Sequence, residues 1–166
     1  MKGSRLTLII ITLFLGMKSF ACTCGRPISI EAIQIGEFED SECVFIGEVL
    51  EVNRKEKSFK IKVIESFKGS DEETIYAGTY DEQCGPIINE KGKWLIYGDL
   101  NDENVIEVNI CGLTRSFTNP EYNPVIDGLI AKRLKESVNM DNEKFITEAR
   151  KVFEDEIKNL RKKKKD

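Results

Sequence analysis

Two cysteines one residue apart, in the stretch SFACTCGRP over residues 19–27, are the residues of this chain best placed to do chemistry. Such a pair serves as a redox dithiol, as half of a structural zinc site, or as two disulfide anchors for one short segment. The rest of the composition narrows these uses. The chain has five cysteines and no histidine in 166 residues. A structural zinc takes four Cys or His ligands, and no second close cysteine pair exists to complete them. A reactive thiol needs an electropositive setting, and only Arg26 offers one nearby.

The residues ahead of the pair favour disulfides. Lys2 and Arg5 precede an apolar run from Leu6 to Leu15, and Ser19 and Ala21 place small side chains where signal peptidase reads them. The run is shorter than the roughly 20 residues of a membrane span. Residues 1–21 therefore read as a leader cut between Ala21 and Cys22. A secreted chain, extracellular or periplasmic, follows. A rival reading is a lipoprotein signal that anchors the protein to a membrane through an acylated Cys22. Ser19-Phe20-Ala21 lacks the aliphatic residue usual at the first of those positions.

Export makes disulfides the default state of the cysteines. Five is odd, so one thiol is left over. Cys43 is the candidate, since it sits in the strand-like run CVFIGEV, where a thiol serves as a small buried hydrophobe. Cys22, Cys24, Cys84 and Cys111 remain, with three pairings open. Neighbours one residue apart rarely bridge each other, so each of the first two is expected to reach one of the distant pair.

Cleavage before Cys22 would free its α-amine, whose ordinary pKa of about 8 leaves a sizeable neutral fraction near pH 7. Amine nitrogen and Cys22 carbonyl oxygen can then chelate one metal ion in a five-membered ring. With Cys22 and Cys24 both stapled, Thr23 is held between them, and a rigid ridge loses little freedom on docking. Catalytic zinc keeps one coordination position open, and such a wedge fills it.

The elements that must carry this ridge are short. Ser29 caps a helix over 29–42 with Ile30, Ala32 and Ile33 on one side. CVFIGEVLEVNR (43–54) reads as a strand bent at Gly47. A charged turn, KEK (55–57), leads into a half-buried strand over 58–69, in which Phe59, Ile61 and Val63 oppose Lys60 and Lys62. TIYAGTY (74–80), WLIYGDL (94–100) and VIEVNIC (105–111) complete five strands, with a Gly/Pro-punctuated loop over 84–93. Helical spacing then appears over 125–136 and 142–160. The second helix carries a stripe of Phe145, Ala149, Val152, Phe153, Ile157 and Leu160, with Asp141 as its cap. Five strands without βαβ alternation predict a mainly β protein with helices: a five-stranded OB-type closed barrel flanked by a short N-terminal helix and C-terminal helices. The division is a leader (1–21), a barrel (22–118) and a helical extension with a basic tail (119–166).

Charge and absent motifs exclude whole classes. The net charge of −4 becomes −7 without the leader's three basic residues. Setting aside the tail RKKKKD, with its five basic residues and one acid, takes the body to −11. So acidic a body disfavours nucleic acid and anionic surfaces, and the tail reads as the solvated end of its helix. Without histidine there is no Ser-His-Asp or Cys-His machinery, and no phosphate- or dinucleotide-binding glycine loop is present. The acidic pairs Glu72-Glu73 and Asp81-Glu82 sit in polar turns and read as solvated surface. No enzyme and no cofactor are expected.

CTC at the expected mature start resembles the opening of the tissue inhibitors of metalloproteinases, within the wider netrin-like group. CVFIGEVLEV, ESFKG, CGPIINEKGKWLIYG and CGLTRS are similar to the pieces that follow it there, in the same order, so the resemblance covers about residues 22–116. It implies disulfides Cys22–Cys84 and Cys24–Cys111, whose loops of about 60 to 90 residues are worth about 4 to 5 kcal/mol each on the chain-entropy account. It implies a monomeric partner of zinc metalloproteases, in which Cys22 caps the protease zinc through its amine and carbonyl and Thr23 enters the neighbouring pocket. The chain departs from the family in lacking a third disulfide and a cysteine-rich second domain. Gly25-Arg26 replaces the apolar residue usual before the proline, and the loop between the first two strands is short. The alternative is a non-inhibitory netrin-like binding module whose disulfides are structural. A thiol oxidoreductase is a third reading.

Overall fold

The computed structural model describes residues 29–83, 85–134 and 142–165. Helix α1 (Ile30–Asp40) precedes strands β1 (Cys43–Asn53), β2 (Ser58–Lys68), β3 (Ile75–Thr79), β4 (Gly92–Leu100), β5 (Ile106–Val108) and β6 (Arg115–Ser116). Helices α2 (Pro124–Leu134) and α3 (Asn142–Lys163) follow. The hydrogen-bonded order is β1-β2-β3-β5-β4, and β4 returns to pair antiparallel with β1, which closes the sheet. β3 and β5 run parallel, and β6 adds beside β4. The protein is a five-stranded OB-type closed barrel with one extra strand, flanked by one helix before it and two after. Among the described residues no helix is long and apolar enough to cross a membrane.

Periodicity explains which faces meet. In β2, Phe59, Ile61 and Val63 are buried and Lys60 is exposed, the alternation of a strand with one dry face. β1 and β4 instead carry unbroken apolar runs, because both of their faces are covered. Cys43 and Phe45 point into the barrel with Ile61, Ile96 and Ile106. Val44 and Ile46 face outward, into a second core with Leu95, Tyr97, Ile126, Ile130 and the α3 stripe. Gly47 lies at a register shift between β1 and β2, and a Cβ there would meet Ile61 Cγ1 at 2.6 Å. The bend expected at Gly47 thus coincides with a close approach that only glycine permits.

Two expectations need correction. Ser29 caps α1 as expected, its Oγ accepting from Ala32 N–H at 3.1 Å. Ala32, however, is exposed while Ile30 is buried, since two residues along a helix is about 200° round it. The strand expected over 105–111 ends at Val108. There the chain turns through Gly112 N–H donating to the Asn109 carbonyl at 3.1 Å, with Cys111 in the left-handed region at φ 62°. Asp81, read as solvated, is part-exposed on the wall of an open cavity described below. The tail is exposed over 161–165, the solvated helix end that was expected, and it also makes surface contacts. Arg161 meets both oxygens of Glu65 on β2, Lys164 reaches Glu72 at 2.7 Å, and Lys163 Nζ lies 3.8 Å from the Phe38 ring centroid. The expected cap Asp141 lies outside the described residues.

Candidate functional site

Several connections converge on one end of the barrel. After β3 the chain passes Tyr80 and Asp81 and reaches Gly85, whose N–H donates to the Asp81 carbonyl at 3.2 Å. A Cβ at Gly85 would lie 3.9 Å from Ile110 Cα, so the loop that holds position 84 abuts the turn that holds Cys111. That turn is fixed from two other sides. Asn109 Nδ2 donates to Ser41 Oγ at 2.9 Å, just beyond α1, and Asn123 Nδ2 donates to the Gly112 carbonyl at 2.9 Å. Asn123 Oδ1 in turn accepts from Val125 and Ile126 N–H, both at 3.1 Å, and so caps α2. The rim presents Ile87, Ile110 and Tyr122, which are 44%, 53% and 76% exposed, around these anchored turns.

Two cavities flank the junction. One, of about 690 Å³, is lined by the end of α1, Tyr80, Asp81 and the ends of β4 and β5. Burial pushes the Glu37 carboxyl in it up to about 7, helped by Asp40 and Asp99, although Asn109 and the Leu113 N–H oppose the shift. The other, of about 550 Å³, lies between Gly85-Pro86-Ile87 and the start of α2. Trp94 and Tyr122 line it beside Glu90, which accepts from Ser116 Oγ at 2.7 Å. Asp127 there is pushed up to about 6, first by burial and then by Glu121.

The cysteines divide as their surroundings dictate. Cys43 is free and fully buried, and its thiol donates to the Gly98 carbonyl at 3.2 Å. Burial, with Asp99 and Glu42 nearby, pushes that thiol up to about 12, so it stays protonated and unreactive. Cys111 is disulfide-bonded, and its partner lies outside the described residues. Cys22, Thr23, Cys24 and Cys84 also lie outside them.

Sequence reasoning missed Glu37, Asp127 and the exposed apolar residues of the rim. Glu37 was legible in one respect, as an acid one turn after Ile33 on the inward side of α1. Its environment comes from Asn109 and Asp99, which are distant in sequence and carry no local signal. No family model and no curated protein matches the chain. Fold and rim define the class: a small OB-type barrel with helical additions and an acidic, part-apolar rim.

Proposed function

We propose that this protein is a secreted inhibitor of zinc metalloproteases that acts through the amino terminus created at Cys22. Cys22 and Cys24 bond to Cys84 and Cys111, which holds Thr23 as a fixed ridge on the barrel rim. The Cys22 amine and carbonyl occupy the open position of the protease zinc, and Thr23 enters the adjacent pocket. The observation that carries this reading is the close approach of the chain at Gly85 to the chain at Ile110. Two cysteines one residue apart can bridge two distant ones only where those lie side by side, because disulfide Cα atoms sit about 4.4–6.8 Å apart. The immediate neighbours of Cys84 and Cys111 run close together, a Cβ at Gly85 lying 3.9 Å from Ile110 Cα, and Cys111 is oxidised. Ile87, Ile110 and Tyr122 surround that point and supply apolar area for a partner.

The test is direct. Mass spectrometry of the secreted protein establishes a free Cys22 amine, and a panel of zinc endopeptidases is then assayed with it. Inhibition is expected, and adding one alanine before Cys22 should abolish it while the melting temperature stays put. A verified free amine that slows none of the panel would remove the proposal and leave the scaffold.

A further inference from the structure

The turn that carries Cys111 is gripped from both sides, and each grip includes acids without a counter-charge. A Cβ at Gly112 would lie 3.0 Å from Glu37 Oε2, so the end of α1 sets a carboxylate oxygen against the turn. That oxygen is shut off from solvent and has no hydrogen-bond partner. From the other side Asn123, the cap of α2, holds the Gly112 carbonyl at 2.9 Å. Glu121 and Asp127 bracket this cap in sequence. Each keeps one oxygen, Oε2 and Oδ1 respectively, sealed and unpartnered in the same way. Glu121 is only 8% exposed, and its charge acts on Asp127 by repulsion.

No cation answers these three acids. Asp40 on α1 and Asp99 on β4 act on Glu37. Asp81, Glu107 and Lys57 line the same cavity, and Lys57 is turned to Glu82 at 3.4 Å. Glu90 shares the smaller cavity with Asp127. Arg115, the one buried cation among the described residues, is committed to Glu156, and Arg150 on α3 donates to the Thr118 carbonyl at 3.1 Å. An ionised carboxylate shut away without a partner is costly, so such a group keeps its proton or moves toward water. The turn itself is strained, because Cys111, which has a Cβ, is held in the left-handed region at φ 62°. Grip and strain therefore oppose each other at one turn.

We propose that the turn over 109–114 is a pH-operated clamp, closed while Glu37 and Asp127 are protonated and opened when both ionise. The carboxyls stand at about 7 for Glu37 and about 6 for Asp127, raised in each case first by burial. The closed clamp thus binds protons that an open one releases, and the grip is lost as pH rises through those values. Opening moves the carboxylates toward water, frees the cap of α2 and lets Cys111 relax. What this does to a partner rests on the inhibitor reading: a ridge bonded to Cys111 is rigid in mild acid and loosens above neutrality. The clamp itself does not need that reading.

Amide hydrogen exchange on the purified protein, corrected for its intrinsic pH dependence, tests the clamp without any protease. Between pH 5 and pH 8 the protection of the Gly112, Val125 and Ile126 amides should fall at least tenfold. At pH 8 it should lie below that of the β1–β4 pair, since the opening is local. The neutral double variant Glu37→Gln/Asp127→Asn should reduce the fall to less than twofold. Each single substitution should remove part of it, which covers a double variant that does not fold. Glu48→Gln/Glu154→Gln, at exposed acids elsewhere, should leave the fall intact. Protection that stays level across the pH range, that falls as far in the neutral variants, or that matches the β1–β4 pair at pH 8 would overturn the proposal. Exchange is read on the protein alone, so a protease panel left uninhibited would remove the ridge and not the clamp.

Discussion

The barrel interior and the core beneath the helices are built by different rules. Inside the barrel, Cys43, Phe45, Val49, Phe59, Ile61, Val63, Ile96 and Ile106 pack with no charged group among them. Alternation alone brings them together, because each strand turns every second side chain inward. The outer core is equally apolar along the α3 stripe but encloses an ion pair. Arg115 on β6 and Glu156 on α3 are 1% and 2% exposed, and they hydrogen-bond directly. Tyr97 donates to Glu156 Oε1 at 2.7 Å, and Gln34 from α1 donates to Glu156 Oε2 at 3.1 Å. The Arg115 guanidinium also lies 4.8 Å from the Phe153 ring centroid. One carboxylate thereby ties β6, β4 and α1 to α3. The apolar interior fixes that the barrel closes, whereas the polar cluster fixes how α3 sits on it, since a helix sliding along an apolar stripe loses little until it must break charged bonds.

Removing one partner of that cluster tests the contrast most severely. Glu156→Ala leaves the Arg115 charge buried and unpaired and withdraws the acceptor of Tyr97 and Gln34. A loss of about 3–5 kcal/mol is expected in urea unfolding. The double substitution Arg115→Met/Glu156→Leu removes both charges together and should recover most of that stability. If it does recover stability but α3 amides then exchange faster with solvent, the pair's role is to specify position rather than to hold the fold. A single Glu156→Ala variant within 1 kcal/mol of the parent would show the two cores to be alike.

The same contrast explains what could be read without coordinates. Both closed-barrel strands with two dry faces were visible as unbroken runs, CVFI and WLIY, and the α3 stripe was visible at helical spacing. Cys43 was legible for the same reason, as a thiol inside such a run. β6 was not, because Arg115-Ser116 is two residues of polar character and is a strand only through its pairing with Trp94 and Leu95. Glu156 carried a signal that periodicity alone undervalued: it interrupts the stripe between Phe153 and Ile157, on the buried face. Its partner lies 41 residues back, and local pattern cannot supply such a contact. The rim was legible only through its cysteines, since the approach of Gly85 to Ile110 depends on how two connections fold back against each other.

A second, smaller test concerns the border of the two regions, where α1 meets the rim. Glu37 holds its proton more tightly in the folded protein than in the unfolded chain, with its carboxyl at about 7 against an ordinary 4.5. The folded state thus binds the extra proton between those values. Stability falls as pH rises from about 4.5 to about 7 and is level beyond it. Asp40 and Asp99 face this group and share the sign. Glu37→Gln removes the titration and keeps the shape, so the variant should exceed the parent by about 1–2 kcal/mol at pH 8, allowing for partial exposure. Below pH 5 the gap should close. A gap that widens toward acid would reverse the assignment.

The smallest effect belongs to the exposed counterpart of the buried pair. Arg161 engages Glu65 through two nitrogens, at 3.0 and 2.8 Å, and joins the end of α3 to β2 much as Glu156 joins its middle to β6. Geometry is better here than in most surface pairs, but Arg161 is half exposed and water competes for both groups. Arg161→Ala should cost no more than about 1 kcal/mol, and raising salt to about 1 M should shrink even that, because the Debye length falls to about 3 Å. The loss at Glu156 should scarcely respond to the same salt, since no ion reaches a carboxylate that is 2% exposed. Salt therefore separates the two attachments of one helix: the contact that holds its tail is screened, and the contact that sets its position is not.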